Sequence, residues 1–302
     1  MTLLLSIFAD DILPILLVAS VGFLLARYLR VDVKALSRVT LYALTPCLAF
    51  NILVTSKISA AELGRMALLA VCTVLGIGLI TWLVTLPLRL DRAMASACLI
   101  VVMFANGGNY GLPLTLFAFG QEALAYATVY FVTSVAMTYT IGIFLASSGQ
   151  RSLSDALTSV FKMPVVYAVA IALVVILTGT TLPLPVMRPI QLLSNAAIPA
   201  MLLILGMQLE RAVKPERPWL VGLTTALRLV VSMALGFALA PILGLSGVAR
   251  QAGVLQAAMP TAVITTILAL EYKLDSSFVT GVVFLSTLLS PFTLALLIAF
   301  LN

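Results

Sequence analysis

Apolar runs of about twenty residues recur along the whole chain, separated by short clusters of charged residues, glycine and proline. The runs lie near 8–27, 36–54, 66–88, 93–119, 122–147, 164–182, 187–209, 217–243, 247–270 and 277–301. Each matches the length of a membrane-crossing helix, so the pattern predicts an all-α integral membrane fold with ten transmembrane helices. No stretch between the runs is long enough for a soluble domain. The longest, 149–163, reads as a loop or a surface-lying amphipathic segment. The N-terminus does not read as a cleavable signal, because Asp10 and Asp11 replace the basic region and the apolar run that follows is full length.

One run is interrupted in an informative way. Asn106-Gly-Gly-Asn-Tyr-Gly-Leu-Pro113 places three glycines, two asparagines and a proline inside an otherwise apolar fourth run. Gly107, Gly108, Gly111 and Pro113 cannot continue a regular helix. Within a bilayer, unwound backbone is tolerated only where it meets protein or a watery cavity, so the break predicts a binding site. Asn106 and Asn109 offer amide donors beside the freed N–H groups. A carboxylate at the start of a half-helix beginning near Pro113 would meet donors and a positive dipole end. The same asparagines could instead only satisfy the broken backbone, and Tyr110 could stack on a ligand or simply pack.

Composition agrees with the pattern: 62% of the 302 residues are hydrophobic and 9% charged, with a mean hydropathy of +1.19. With the first loop taken as cytoplasmic, twelve basic residues fall in inner loops and four in outer loops. This asymmetry predicts both termini outside, and it accounts for the net charge of +6 without a nucleic-acid partner. Cys47, Cys72 and Cys98 all fall inside runs and read as small buried residues. Histidine is absent. That removes the usual zinc ligand and neutral-pH proton carrier, and no metal or cofactor is expected.

The two halves, 1–149 and 150–302, are related by a shift of 153 residues. The shift lays Pro46 on Pro199, Glu122 on Asp275, Phe131 on Phe284, and Asn106-Gly107 on Met259-Pro260. Five spans per half is an odd number, so the second copy enters the membrane inverted. Inverted repeats whose broken helices meet near the midplane are characteristic of secondary transporters.

Other polar residues inside runs are further candidates. Pro260 interrupts the ninth run, with Thr261, Thr265 and Thr266 as its nearest polar groups. Thr261 could donate to a solute or bond back to its own helix. Asn195 and Asn51 are costly inside a span unless paired, and read equally as site residues or as ties between helices. Arg228 is the one clearly intramembrane charge, at a cost of about 2.5–3.5 kcal/mol on insertion scales. It should face an anion, a cavity or a group of carbonyls. No carboxylate occupies mid-span, and without histidine a proton relay through the membrane is poorly supported. Sodium could be held only by Asn, Gln256, Ser, Thr and carbonyl oxygens. An enzyme is disfavoured for want of a nucleophile–base pair or a metal-ligand set, and a sensor for want of an output domain.

The run Asn-Gly-Gly-Asn-Tyr-Gly-Leu-Pro-Leu (106–114), followed by Phe-Gly-Gln-Glu-Ala-Leu-Ala-Tyr (119–126), resembles the auxin efflux carrier, or PIN-like, family. Asn-Ala-Ala-Ile-Pro (195–199), Met-Pro-Thr-Ala-Val (259–263) and Leu-Ala-Leu-Glu-Tyr (268–272) support the resemblance, which spans essentially the whole chain. Lacking the long central hydrophilic loop of many plant members, the chain resembles a short prokaryotic one, associated with malonate and malate and with the plasma (bacterial inner) membrane. The resemblance implies two inverted five-helix repeats in which broken helices 4 and 9 cross. Spans 1, 2, 6 and 7 would form a dimerising scaffold, and spans 3–5 and 8–10 a transport unit moving against it in an elevator-like way. It implies an organic-anion substrate and a homodimer in lipid. Ile264 stands where some relatives carry a polar residue, which makes the second crossover less polar than the first. A sodium-coupled organic-anion symporter of the bile-acid type and an anion channel are the alternatives.

Overall fold

The apolar runs fold as helices, and prolines and cap residues decide where those helices widen, break or stop. The computed structural model describes residues 2–56, 58–147, 158, 160–210 and 217–302. Among the described residues seven helices are long and apolar enough to cross a membrane: α1 Leu3–Leu29, α2 Val33–Thr55, α3 Ala60–Leu88, α5 Gly107–Ala146, α7 Leu184–Leu209, α8 Pro218–Ile242 and α11 Ser276–Leu301. Four shorter helices complete the set: α4 Arg92–Met103, α6 Pro164–Thr178, α9 Gly247–Ala257 and α10 Ile264–Glu271. No strand forms among these residues; the one β-type feature is an isolated antiparallel bridge between Ala105 and Thr261.

Ten apolar runs become seven long helices for identifiable reasons. The fourth run is cut at Phe104–Asn106, and the ninth between α9 and α10. The second half of the fourth run joins the fifth run as α5, which is interrupted at Gly120 (φ 79°, ψ −170°). The sixth run is helical over only 15 residues. Most of the 149–163 segment read as a surface loop lies outside the described residues.

Prolines also widen helices. Wide π-type turns at Phe8–Ile12, Thr40–Leu44 and Gly107–Gly111 each end two residues before a proline, namely Pro14, Pro46 and Pro113. Proline has no N–H and its ring crowds the carbonyl one turn back, so the preceding turn opens. Two further wide turns, Thr138–Gly142 and Leu227–Val231, have no nearby proline, and the second carries Arg228.

Carboxylates placed near span ends by the sequence are largely caps. Asp91 accepts from the Met94 amide (2.8 Å) at the start of α4, and Asp275 from the Phe278 amide (2.9 Å) at the start of α11. Ser59 and Glu62 form a reciprocal capping box on α3. Arg30, Arg89 and Lys273 take left-handed backbone conformations where helices end, leaving their cations near the negative ends of α1, α3 and α10.

Helices α1, α2, α6 and α7 pack principally on one another, and α3, α4, α5, α8, α9, α10 and α11 principally among themselves. Large apolar side chains of α1, α3, α6 and α7, among them Leu17, Leu79, Val174 and Leu192, remain exposed. A lipid-facing surface has this character.

Candidate functional site at a helix crossing

Each broken helix leaves backbone groups that its own chain segment cannot satisfy. The two breaks satisfy one another. The Asn106 amide donates to the Pro260 carbonyl (2.7 Å), and the Ala262 amide to the Phe104 carbonyl (2.9 Å). Thr261 adds two ties: its hydroxyl donates to the Val101 carbonyl (2.7 Å), and its amide to the Ser286 hydroxyl (3.1 Å). Thr261 therefore back-bonds across the crossing rather than to its own helix. Asn106, Pro260 and Thr261 are all buried.

The second half of the broken fourth run begins earlier than proposed. It starts at Gly107 in the wide turn Gly107–Gly111, so Pro113 lies on the second residue of the regular helix instead of opening it. The Gly111 amide reaches back to the Asn106 carbonyl (3.0 Å). Gln256 of α9 is the wedge here. A β-carbon on Gly107 would lie 2.6 Å from its Oε1, and one on Gly111 2.7 Å from the same atom. A β-carbon at either position would require the Gln256 amide to shift. The Gln256 Nε2 donates a long bond to the Thr115 hydroxyl (3.4 Å), and that hydroxyl donates to the Gly111 carbonyl (2.7 Å). Gly108 is covered by the Phe131 ring.

Polar capacity remains unused at this point. Asn106 Nδ2 and Gln256 Oε1 are buried without a hydrogen-bond partner. The buried Tyr110 hydroxyl lies beside that of Ser290, which donates to the Thr287 carbonyl (2.8 Å) and keeps lone pairs that can accept from the tyrosine. Asn109 is half-buried on the same turn. Unpartnered buried donors and acceptors cost free energy unless something visits them.

Arg228 meets the other end of the crossing. Its Nη1 donates to the Val102 carbonyl (2.7 Å) and approaches that of Met103 (3.5 Å). Its Nη2 donates to the Ala257 carbonyl. Val102 and Met103 close α4, and Ala257 closes α9. The sequence left open an anion, a cavity or a group of carbonyls, and here the side chain holds carbonyls and borders a cavity. Among the described residues the one ion pair is Arg27–Glu210 (3.3 Å), far from this point in the sequence.

Two clefts border the crossing. One, with room for about one water molecule, is lined by Thr73, Tyr130, Ser134, Arg228, Ser232 and Ala105, with apolar side chains between them. The other, similarly small, lies between α7 and α11 beside Val263 and includes Gln208, Thr280 and Thr287. Asn195 is not brought to either. It sits on the exposed face of α7, because its neighbour Ser194 turns inward to accept from Asn51 Nδ2 (3.2 Å). Asn51 is thus a tie between α2 and α7. Thr115, Tyr130 and Ser232 were not singled out from the sequence, where they stand as hydroxyls inside apolar runs, and Ser134 entered only through the repeat, which lays it on Thr287. Gln256 entered only as a sodium ligand, although a glutamine four positions before Pro260 on an apolar helix is a usable signal.

Apolar spanning helices with two of them interrupted where they meet define a multi-pass membrane transport protein. The chain belongs to the family described as membrane transport protein, the auxin efflux carrier or PIN-like family, whose model it matches over residues 7–298. It is a family of transporters, not enzymes. The chain is 27% identical over 294 residues to an uncharacterized transporter of Methanothermobacter thermautotrophicus, covering 95% of this chain and 96% of that one. It is 24% identical over 303 residues to an uncharacterized transporter of Methanocaldococcus jannaschii, with the same coverage of 95% and 96%.

Proposed function

We propose that the protein is a secondary carrier for small organic anions, mono- or dicarboxylates of the malonate, malate or auxin-like kind, working by alternating access. The observation that carries this reading is the crossing itself. Asn106 Nδ2 is buried and unpartnered at the start of a half-helix, where donors and a positive dipole end favour a carboxylate, and the buried Tyr110 hydroxyl lies on the same turn. Gly107 and Gly108 let Gln256 and the Phe131 ring pack against the turn, Asn109 flanks it, and the Pro260–Thr261 segment closes the opposite side. Arg228 adds a positive charge nearby, set against the carbonyl ends of α4 and α9.

In this reading the chain crosses the membrane ten times as two inverted five-helix repeats, 1–149 and 150–302, with both termini outside the plasma membrane. The preferential packing of α1, α2, α6 and α7 supports a scaffold, through which two copies would associate. The remaining helices would move against it in an elevator-like way, carrying the crossing with them. The α7–α11 cleft lies between the two groups, where such motion would open a path.

Reconstitution in proteoliposomes tests the proposal. Carboxylate uptake should saturate and be accelerated by unlabelled carboxylate loaded on the far side. Flux without saturation or counterflow would indicate a channel, and flux abolished by replacing sodium with choline would indicate a sodium symporter.

A further inference from the structure

Three backbone carbonyls, those of Val102, Met103 and Ala257, converge from the ends of two different helices onto one point. Each helix C-terminus carries roughly half a negative charge, so α4 and α9 together present about one. In carriers with broken helices, half-helix C-terminal ends and unwound carbonyls are where a coupling cation is held. Here that place is filled by the guanidinium of Arg228, which is 2% exposed. Its charge matches the pair of helix ends, and its planar fork spans carbonyls that a point charge would have to draw together. Its Nε remains unpartnered and buried. The adjoining cleft adds hydroxyls of Thr73, Tyr130, Ser134 and Ser232, with the Ser134 hydroxyl also unpartnered. These are hard oxygen ligands suited to a small cation. The wide turn Leu227–Val231 that presents Arg228 has no proline to explain it, and such turns often mark function.

We propose that Arg228 is a built-in cation, standing where the converging ends of α4 and α9 would otherwise gather a monovalent metal ion, so that the protein needs no co-ion there and acquires a cation site when the charge is removed. The inference goes beyond the organic-anion reading and does not depend on which solute is carried.

Thermal unfolding of purified protein, without any carboxylate, tests it. Wild type should melt at one temperature in sodium, lithium and choline chloride of equal ionic strength. Arg228→Ala should melt lower in choline and recover by about 2 °C or more in sodium, lithium or low-millimolar methylguanidinium chloride. Arg228→Lys, which keeps the charge, should remain indifferent to the salt. Should Arg228→Ala and the neutral Arg228→Met both fail to fold while Arg228→Lys folds, the charge requirement stands. The proposal is overturned if wild type itself is stabilised by sodium, or if Arg228→Ala responds to no cation. It is equally overturned if Arg228→Lys fails alongside the neutral variants, or if Arg228→Met matches wild type. Loss of carboxylate transport in proteoliposomes would count against the carrier reading alone, since these melting curves contain no solute.

Discussion

The amide of Asn106 donates to the carbonyl of Pro260 at 2.7 Å, so each interrupted helix supplies the partner that the other lacks. This bond uses the backbone of Asn106 and leaves its side-chain Nδ2 free. The backbone bond and the proposed solute contact thus fall on two parts of one residue, which makes them separable by mutation.

Asn106→Ala should keep the melting temperature close to wild type, because Nδ2 makes no bond in the protein. Carboxylate affinity should fall about 10-fold or more, the loss expected for one hydrogen bond to a charged group. Isothermal titration or ligand-induced thermal shift checks both halves. Unchanged affinity would remove the side chain from the site.

Gly111→Ala should destabilise by only about 1 kcal/mol, the low end for overpacking, since the added carbon would lie 2.7 Å from Gln256 Oε1 and 2.8 Å from its Nε2, the flexible end of a side chain that can shift. Shortening the wedge in the double variant Gly111→Ala/Gln256→Ala should recover much of that loss. Additive losses would mean that the contact between α9 and the wide turn is not what excludes a side chain.

Thr261→Val preserves shape while deleting the hydroxyl that donates to Val101. Its cost should be about 0.6–1.7 kcal/mol, the range measured for hydrogen bonds between membrane helices, with carboxylate affinity little changed. A large loss of affinity at normal stability would instead place the hydroxyl on the solute.

Asn195→Ala should leave carboxylate affinity within about twofold of wild type, because the residue faces outward from α7. Asn51→Ala should lower the melting temperature by removing the bond to Ser194. The reverse pattern, with affinity lost at residue 195, would show that the exposed face of α7 reaches the solute.

The break at 106–113 was legible because glycine, asparagine and proline are local signals: their backbone preferences act whatever the surroundings. Pro260 was legible for the same reason, and so was the all-helical apolar character, although seven of the described helices rather than ten are long enough to cross a membrane. The restart at Gly107 rather than near Pro113 was not, because a proline can be absorbed by widening the turn before it. Gly120 was hidden too: a single glycine between apolar runs does not announce a positive φ. What Arg228 touches depends on how α8 packs against two helix ends far away in sequence. Gln256 becomes a wedge only once α9 lies across Gly107 and Gly111. The face on which Asn195 falls is likewise a matter of helix rotation, which one position's shift relative to Ser194 decides.

Protection of the wide turn by a carboxylate tests the central claim most directly. In a background with Cys47, Cys72 and Cys98 replaced, Asn109→Cys places one thiol on the half-buried rim of that turn. A small hydrophilic thiol reagent should modify it several-fold more slowly in saturating carboxylate, and modification should stop transport. An alkylation rate indifferent to every carboxylate that the protein transports, or transport that survives full modification, would contradict a solute site at the crossing.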